Sequence, residues 1–300
     1  MLLISVALFF IPLLLLGVLA FRRFPNKWHW AGSLLAFAMT LGFLWLVSRW
    51  DLVSMYYRML LPIMLLLAAF LGFRRIRAPA RPWHMAAHIA TIVINAALII
   101  IMGGASWKAL EGYPEPEGSI NLVSPLRDAK YVVLHGGASP LINGHFWVKS
   151  QKYALDILGQ DSLGRSARVF ASRQELDSYA IFSQPLYSPC NGTVKIAVDR
   201  FDDQAPPKTD RDNLAGNHVL IECEGVEVVL AHMKKDSVSV RPGDSVTTRN
   251  VLGLVGNTGN TSEPHLHMHV ETLGNPSRIL DGRGVPFTLD GDFLVRGNRL

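Results

Sequence analysis

The chain has 300 residues, 49% of them hydrophobic, and a formal net charge of +5. Its mean hydropathy of +0.23 is too high for an ordinary soluble protein of this length. Residues 1–105 contain nine Lys or Arg and one acidic residue, Asp51, which leaves residues 106–300 with a net charge of −3. The basic pI therefore belongs to the N-terminal third, and we expect no nucleic-acid partner.

Four apolar segments in residues 1–105 are each near the length of about 20 helical residues that spans a bilayer. They are Leu2 to Phe21, Ala31 to Val47, Met55 to Phe73 and Met85 to Ala105. We therefore predict an α-helical transmembrane region with four spans. Arg58 lies near the start of the third span, where an arginine side chain can extend to the interface. His88 and Asn95 lie within the fourth span and could form an intramembrane polar site, but we expect them to hydrogen-bond to another helix.

The loops between the spans predict the orientation of the chain. Basic residues follow the first and third spans, whereas the second loop has only Arg49 beside Asp51; the basic residues are Arg22, Arg23, Lys27, Arg74, Arg75, Arg77 and Arg81. The positive-inside rule places the first and third loops in the cytoplasm. Four spans then put residues 106–300 outside the cytoplasm. A cleaved signal peptide is disfavoured, because no basic segment comes before the first span.

The sequence becomes polar after Gly104, and residues 106–119 are rich in Pro and Gly, which indicates a linker. Residues 120–300 contain short β-branched segments separated by turns, a pattern typical of a mainly antiparallel β domain. The predicted strands are residues 131–134, 145–148, 153–158, 192–198, 219–223, 226–231, 251–256 and 265–272. One helix is predicted over residues 173–181, because Ser172 and Glu175 have the spacing of a capping box.

Histidine occupies alternate positions of the last predicted strand, at His265, His267 and His269. Alternate side chains of a strand share one face, and neutral imidazole is a favoured zinc ligand. The row therefore suits a metal site. The alternative is a row of solvated or hydrogen-bonded histidines without a metal.

A second candidate pair lies upstream, at His145 and Asp156. If residues 149–152 form a tight turn, these two side chains face each other across a hairpin, with Cβ atoms roughly 4.5 to 5.5 Å apart. They could then share one metal ion. A register shift of one residue would place them on opposite faces.

Cys190 and Cys223 are the two cysteines of the chain. They could pair if this part of the chain faces an oxidising compartment. We expect instead that they are buried thiols of strands.

Four segments in order along the chain resemble the lysostaphin/LytM-type zinc endopeptidases: Leu230 to Met233, Val240 to Val246, Leu252 to Gly259 and Pro264 to His267. The resemblance covers roughly residues 140 to 290. It implies a β domain of LytM/lysostaphin type that cuts peptide bonds in bacterial peptidoglycan. It also implies that His267 binds Zn²⁺ and that His232 and His265 assist catalysis.

The sequence departs from this family at one metal ligand. The family's first motif is a histidine four residues before an aspartate; Asp156 matches the aspartate, but position 152 is lysine. A lysine cation cannot bind a metal ion. We therefore predict that His145 replaces the missing histidine in a site with Asp156 and His267. His269 is a second departure, since a glutamate is expected there; it could be a spare metal ligand or a partner that supports one.

The leading hypothesis is a membrane-anchored zinc endopeptidase of the bacterial cytoplasmic (inner) membrane, acting on peptidoglycan cross-links from the periplasm or cell surface. The alternative is a catalytically degenerate LytM-like domain that binds or regulates a cell-wall hydrolase complex, which the lysine at position 152 motivates. A sugar-transport phosphocarrier domain also uses paired histidines, but it would require a cytoplasmic C-terminal domain. A regulatory protein partner is compatible with the first two.

Overall fold

The computed structural model describes residues 2–77, 85–275 and 277–300. It divides the chain into two compact units, Met1–Leu110 and Glu111–Leu300. The predicted boundaries of the linker at residues 106–119 stay a prediction. Arg81, one of the basic residues used to orient the chain, lies outside the described residues.

In its described residues, the first unit contains four long apolar helices and a short 3₁₀ helix. They are α1 (Leu2–Phe21), α2 (Lys27–Val47), the 3₁₀ helix (Trp50–Leu52), α3 (Met55–Phe73) and α4 (Met85–Leu110). Asn26 and Ser54 cap α2 and α3, because their side-chain oxygens accept hydrogen bonds from backbone N–H groups of the first turn. Each of the four long helices is long and apolar enough to cross a membrane.

Polar side chains within these helices are held by the other helices. Asn95 Nδ2 donates to Ser33 Oγ at 3.1 Å, which joins α4 to α2 as predicted. Arg58 is only 5% exposed. Its Nε donates to the backbone carbonyl of Trp45 at 3.0 Å, and its guanidinium carbon lies 3.8 Å from the centroid of the Trp45 ring. Protein groups therefore hold the Arg58 side chain, and its extension to the interface stays a prediction.

In the described part of the second unit, eleven strands form three sheets. They are β1 (Ile120–Leu122), β2 (Tyr131–His135), β3 (Leu155–Gly159), β4 (Pro185–Tyr187), β5 (Gly192–Val198), β6 (Asn217–Cys223), β7 (Val226–Met233), β8 (Ser245–Val246), β9 (Val251–Leu254), β10 (Leu266–Thr272) and β11 (Phe287–Leu289). The main sheet has the order β2-β3-β10-β7-β6-β5-β8 and is antiparallel throughout. The predicted fold class, four apolar helices followed by a mainly antiparallel β domain, is confirmed.

The two faces of the main sheet have different partners. Val228 and Leu230 of β7 belong to the large hydrophobic core, whereas the alternate residues Val229 and Ala231 form a small cluster with Leu220. In the register of β10 with β7, His267 lies opposite Ala231 and His269 lies opposite Val229. Opposed residues of antiparallel strands share a face. The histidines of β10 therefore lie on the face away from the large core.

The strand predicted at residues 145–148 is absent, and residues 144–153 form turns. Backbone hydrogen bonds close successive turns here, from Val148 N to His145 O at 2.8 Å and from Gln151 N to Val148 O at 3.0 Å. Because these groups are satisfied locally, they are not available to a strand ladder. The neighbour of β3 on that side is β2, so the hairpin predicted to join His145 to Asp156 is wrong.

The helix predicted at residues 173–181 is reduced to a 3₁₀ turn, Leu176–Ser178. Ser172 Oγ accepts a hydrogen bond from Gln174 N at 3.2 Å, as a cap would. Glu175 and Tyr179 nevertheless have extended backbone conformations, and Tyr179 forms a β-bridge with Ala167. This tertiary bridge overrides the local helix signal.

Cys190 and Cys223 form a disulfide with a Cα–Cα distance of 6.2 Å. The expectation of free buried thiols is therefore wrong. Cys223 ends β6, Cys190 lies just before β5, and the two strands pair with Thr193 opposite Glu222. The pairing of neighbouring strands brings the two cysteines together.

Candidate functional site

Two of the predicted metal ligands lie on adjacent strands. Asp156 of β3 is directly opposite His267 of β10 in the sheet register. The Nδ1 atom of His267 lies 2.8 Å from Oδ1 of Asp156, and both residues are buried. The register of two central strands thus fixes this pair.

The third predicted ligand, His145, comes from the turns between β2 and β3. Its Nε2 lies 2.9 Å from Oδ2 of Asp156. Asn143 holds the turn, since its Oδ1 accepts a hydrogen bond from the backbone N–H of His145 at 3.0 Å. The Nδ2 of Asn143 donates to the carbonyls of Gly137, Lys152 and Ala154. The buried side-chain amide of Asn143 therefore positions His145 beside Asp156, whereas strand pairing was predicted to do so.

His145, Asp156 and His267 offer three ligand atoms that all lie within 4.8 Å of one another. Two imidazoles and one carboxylate are a donor set that zinc accepts in catalytic sites. The three residues that the sequence singled out as metal ligands are brought together. Their chemistry and spacing fit one divalent ion.

The protonation states of Asp156 and His267 favour metal binding, whereas His145 is shifted toward its protonated form. Burial alone would raise the pKa of Asp156, but the adjacent His145 and His265 and the hydrogen bonds from imidazoles hold it well below its usual value. Burial lowers the pKa of His267 to about 3, although the hydrogen bond to Asp156 opposes this. Burial also acts to lower the pKa of His145, but the Asp156 carboxylate outweighs it and the pKa is raised. An ionised carboxylate and a neutral His267 are the forms that bind a metal.

His232 ends close to this cluster in a strained backbone conformation. It lies near the end of β7 with a φ of +61°, a left-handed value that is rare for a residue with a side chain. Its Nδ1 donates to the carbonyl of Thr258 at 2.8 Å, which leaves Nε2 without a proton. Burial, followed by the nearby His265 and His267, holds the pKa of His232 well below its usual value. His232 is therefore a neutral imidazole with one basic nitrogen.

His265 precedes β10 and faces both His232 and Asp156. Its ring centroid lies 4.8 Å from that of His232, and its Nε2 lies 3.6 Å from Oδ1 of Asp156. Its Nδ1 donates to the carbonyl of Glu263 at 2.8 Å and lies 3.0 Å from Thr261 Oγ1. These contacts fix the ring with Nε2 toward the cluster.

His269 lies behind His267 on the same face of β10. The Nδ1 of His269 is 3.0 Å from Nε2 of His267, and its Nε2 is 3.7 Å from Oε1 of Glu271. Among the described residues, His269 does not belong to the group whose three ligand atoms converge. It supports His267 from the side remote from the carboxylate.

A cavity of about 300 Å³ adjoins the cluster. Its polar wall includes His145, Gln151, His232 and His267, and its apolar lining includes Val229 and Ala231. The amide nitrogen of Gln151 lies 3.4 Å from Nε2 of His267. The cluster is thus accessible from a cleft with both polar and apolar groups.

Sequence reasoning missed His135 and Arg296, which support the turn that carries His145. His135 is paired with Asp156 in the register of β2 with β3, and its ring lies 5.6 Å from that of His145. Its Nδ1 accepts hydrogen bonds from Gly144 N and from Arg296 Nη2, both at 2.9 Å. His135 directly follows a predicted strand, which was a usable signal. Arg296 lies far along the chain and gave none.

Peptidase family M23 matches residues 176–279 of the chain. This range contains His232, His265 and His267, whereas His145 and Asp156 lie before it. No curated protein significantly matches the chain.

Solved structures of similar proteins overlap with part of the chain. A zinc-containing peptidase from Vibrio cholerae is 28% identical over 31% of this chain and 24% of its own, with a TM-score of 0.24. LytU is 24% identical over 32% of this chain and 59% of its own, with a TM-score of 0.25. The chain therefore spans less than two thirds of the length of either. A catalytic-domain mutant of the prophage-encoded M23 protein EnpA from Enterococcus faecalis is 18% identical over 54% of this chain and 92% of its own, with a TM-score of 0.34.

The resemblance to lysostaphin/LytM-type peptidases is confirmed by the family match. The matched range contains three of the five predicted site residues. The chain thus carries a peptidase family M23 domain at residues 176–279.

Proposed function

We propose that this protein is a membrane-anchored, zinc-dependent endopeptidase that hydrolyses peptide bonds in the cross-links of bacterial peptidoglycan. One observation carries the proposal. Three ligand atoms from His145, Asp156 and His267 converge within 4.8 Å, and the ring of His232 lies 5.8 Å from that of His267. This arrangement adjoins a cleft in a chain with a family M23 domain.

Zn²⁺ is the cofactor that suits this donor set. Held by His145, Asp156 and His267, it would supply Lewis-acid polarisation of the scissile carbonyl. The three protein ligands leave room for a substrate group, as in catalytic zinc sites. The family match supports the same choice, since it includes His267.

His232 and His265 are our candidates for proton transfer. Each uses Nδ1 as the donor to a backbone carbonyl, at Thr258 and Glu263, which leaves Nε2 of each ring available. A neutral imidazole in reach of the reacting groups can accept a proton and pass it to the leaving amine. The hydrogen bonds of the two Nδ1 atoms fix both rings before substrate arrives.

Anchoring in the bacterial cytoplasmic membrane, with the peptidase domain outside, is supported by two features. The four apolar helices have the length of membrane spans. The disulfide between Cys190 and Cys223 belongs to an oxidising compartment, which the cytoplasm normally is not. The basic loops after α1 and α3 favour the same orientation.

The alternative function is a degenerate domain that binds or regulates a cell-wall hydrolase. Lys152 is the observation that favours it, because the usual ligand is missing there. The position of His145 against Asp156 argues for the enzyme instead. A regulatory partner could still control access to the cleft.

Metal content and cleavage, measured on one preparation, separate the two functions. The full chain is purified in detergent, stripped with a chelator, reloaded with Zn²⁺ and incubated with purified peptidoglycan. We expect one zinc per chain and new peptide termini by mass spectrometry, with both lost in His267→Ala. A well-folded chain that binds zinc without cleaving any wall peptide would favour the regulatory function.

A further inference from the structure

Three buried side chains form a line behind the candidate metal site. His267, His269 and Glu271 occupy alternate positions of β10 and have exposures of 3%, 1% and 0%. His267 Nε2 lies 3.0 Å from His269 Nδ1, and His269 Nε2 lies 3.7 Å from Glu271 Oε1. The line begins at a predicted metal ligand and ends at a carboxylate.

The proton positions along this line follow from its first hydrogen bond. His267 Nδ1 faces the Asp156 carboxylate at 2.8 Å and must donate to it, so Nε2 of the neutral ring is an acceptor. His269 Nδ1 therefore donates to His267, which leaves His269 Nε2 without a proton. That nitrogen is buried without a hydrogen-bond partner, and it faces another acceptor, Glu271, at a distance too long for a hydrogen bond.

A metal ion on Nδ1 of His267 would reverse both tautomers. His267 would carry its proton on Nε2 and donate to His269 Nδ1, and His269 would carry its proton on Nε2, directed at Glu271. Each ring keeps one proton and stays neutral, so the proton count is unchanged. Only in this arrangement does the buried Nε2 of His269 carry a proton that faces the Glu271 carboxylate, 3.7 Å away, instead of a lone pair that faces another acceptor.

The surroundings of Glu271 keep its carboxylate ionised, so that it accepts hydrogen bonds. Its carboxylate accepts hydrogen bonds from the backbone N–H groups of Leu280 at 2.9 Å and Gly282 at 2.7 Å. Two backbone donors stabilise the charged form of a buried carboxylate. The end of the line is therefore fixed in position and charge.

We propose that His269 and Glu271 are positioning residues that hold His267 in the tautomer with a free lone pair on Nδ1. The proposal rests on the proposed function, since it takes the metal to be bound by His145, Asp156 and His267. Metal-binding histidines commonly donate their second N–H to a carboxylate or carbonyl, and loss of that partner costs about 10- to 100-fold in metal affinity. Here a second imidazole lies between the ligand and its carboxylate.

The line from His267 through His269 to Glu271 is called the relay below. Measurements of metal affinity test it without any measurement of activity. The full chain in detergent is titrated with Zn²⁺ against a competing chelator, and with Co²⁺ while its visible absorption bands are recorded. In His269→Phe, which keeps a ring of similar shape, we expect zinc affinity to fall about 10- to 100-fold. We expect Glu271→Gln to weaken zinc binding less, and His269→Gln to recover much of the affinity because an amide can accept from His267 and donate to Glu271.

Glu227→Gln is the matched control. Glu227 is a buried carboxylate opposite Glu271 on β7, and it accepts a hydrogen bond from Gly274 N at 3.2 Å. The same change there should leave zinc affinity and the Co²⁺ bands unaltered. Thermal unfolding of every variant without metal checks that the fold is kept.

The outcomes separate the relay from the proposed function. If the parent chain binds no zinc, the proposed function fails and the relay fails with it. If the parent binds zinc while His269→Phe and Glu271→Gln bind it within twofold of the parent, the metal site stands and the relay is overturned. Equal losses in Glu227→Gln and Glu271→Gln, or no recovery in His269→Gln, would also overturn it, since they indicate a packing effect.

Discussion

The Nε2 atom of His145 lies 2.9 Å from Oδ2 of Asp156, across a turn region rather than a strand pair. Lys152, at the position where the related peptidases have a histidine, instead places its ammonium 5.3 Å from the ring centroids of Phe146 and Tyr153. The lysine is thus engaged by aromatic rings. We propose that His145 takes the metal-binding role instead.

Replacing His145 should therefore abolish high-affinity zinc binding, whereas replacing Lys152 should not. In His145→Ala we expect zinc affinity to fall at least 100-fold, because one of three ligand atoms is removed. Lys152→Ala is the matched control on the same turn region and should bind one zinc like the parent. Zinc is quantified in the full chain after equilibrium dialysis. If Lys152→Ala lost zinc while His145→Ala kept it, His145 would not be the metal ligand.

Replacing His232 or His265 should separate catalysis from metal binding. Neither residue is among the three convergent ligands, so His232→Ala and His265→Ala should retain about one zinc per chain. We expect kcat for a wall-peptide substrate to fall about 10²- to 10⁴-fold, the usual range for loss of a general acid or base. KM should change much less. Loss of zinc from either variant would show that the residue is a ligand instead.

Asn143 gives a prediction about the turn rather than the ligands. Its side chain holds His145 N and three carbonyls, and it is buried. Asn143→Ala leaves these groups unpaired, which should cost about 1–3 kcal/mol of unfolding free energy and weaken zinc binding.

Thermal or denaturant unfolding with and without Zn²⁺ measures both effects of Asn143→Ala. Asn191→Ala is the control, since Asn191 caps a turn by accepting a hydrogen bond from Thr248 N at 3.3 Å, outside the site. Its zinc affinity should match the parent. An Asn143→Ala chain with unchanged zinc affinity would show that the turn holds His145 without this amide.

The sequence predicted seven of the eleven described strands, because their β-branched segments are bounded by turns, but it did not predict the short strands β1, β4, β8 and β11. β5, β6, β7, β9 and β10 all begin and end within about two residues of the predicted positions. The five residues that the sequence singled out as candidates lie close together in the structure, and their functional roles stay predictions. What the pattern could not supply was the path between β2 and β3.

The contact of His145 with Asp156 arises for a different reason from the one predicted. Residues 145–148 contain apolar and aromatic side chains that resemble a strand, but Asn143 and local turns satisfy their backbone. Hydrogen bonds from a single buried amide are not visible in a periodicity. The same limit explains why Tyr179, bridged to Ala167, ended the helix predicted from Ser172.

The disulfide between Cys190 and Cys223 gives the last prediction, on stability and compartment. The bond closes a separation of 33 residues. In the chain-entropy treatment a loop of that size contributes about 3–4 kcal/mol to the unfolding free energy. We therefore expect the unfolding free energy of the Cys190→Ser/Cys223→Ser double variant to be lower by that amount, as measured by denaturant unfolding. Its zinc affinity should stay near the parent value, because neither cysteine lies among the proposed ligands.

The same cysteines report the side of the membrane on which the β domain lies. In cells whose outer layers have been permeabilised, a membrane-impermeant maleimide should label Cys190, the more exposed of the two cysteines, only after a reductant is added. Labelling without reductant would mean that the thiols are free and exposed to the outside. Labelling that requires lysis of the cytoplasmic membrane would place the domain in the cytoplasm and contradict a role in wall hydrolysis. A cysteine introduced in the basic loop between α1 and α2, at Asn26, is the control, and it should react only after lysis.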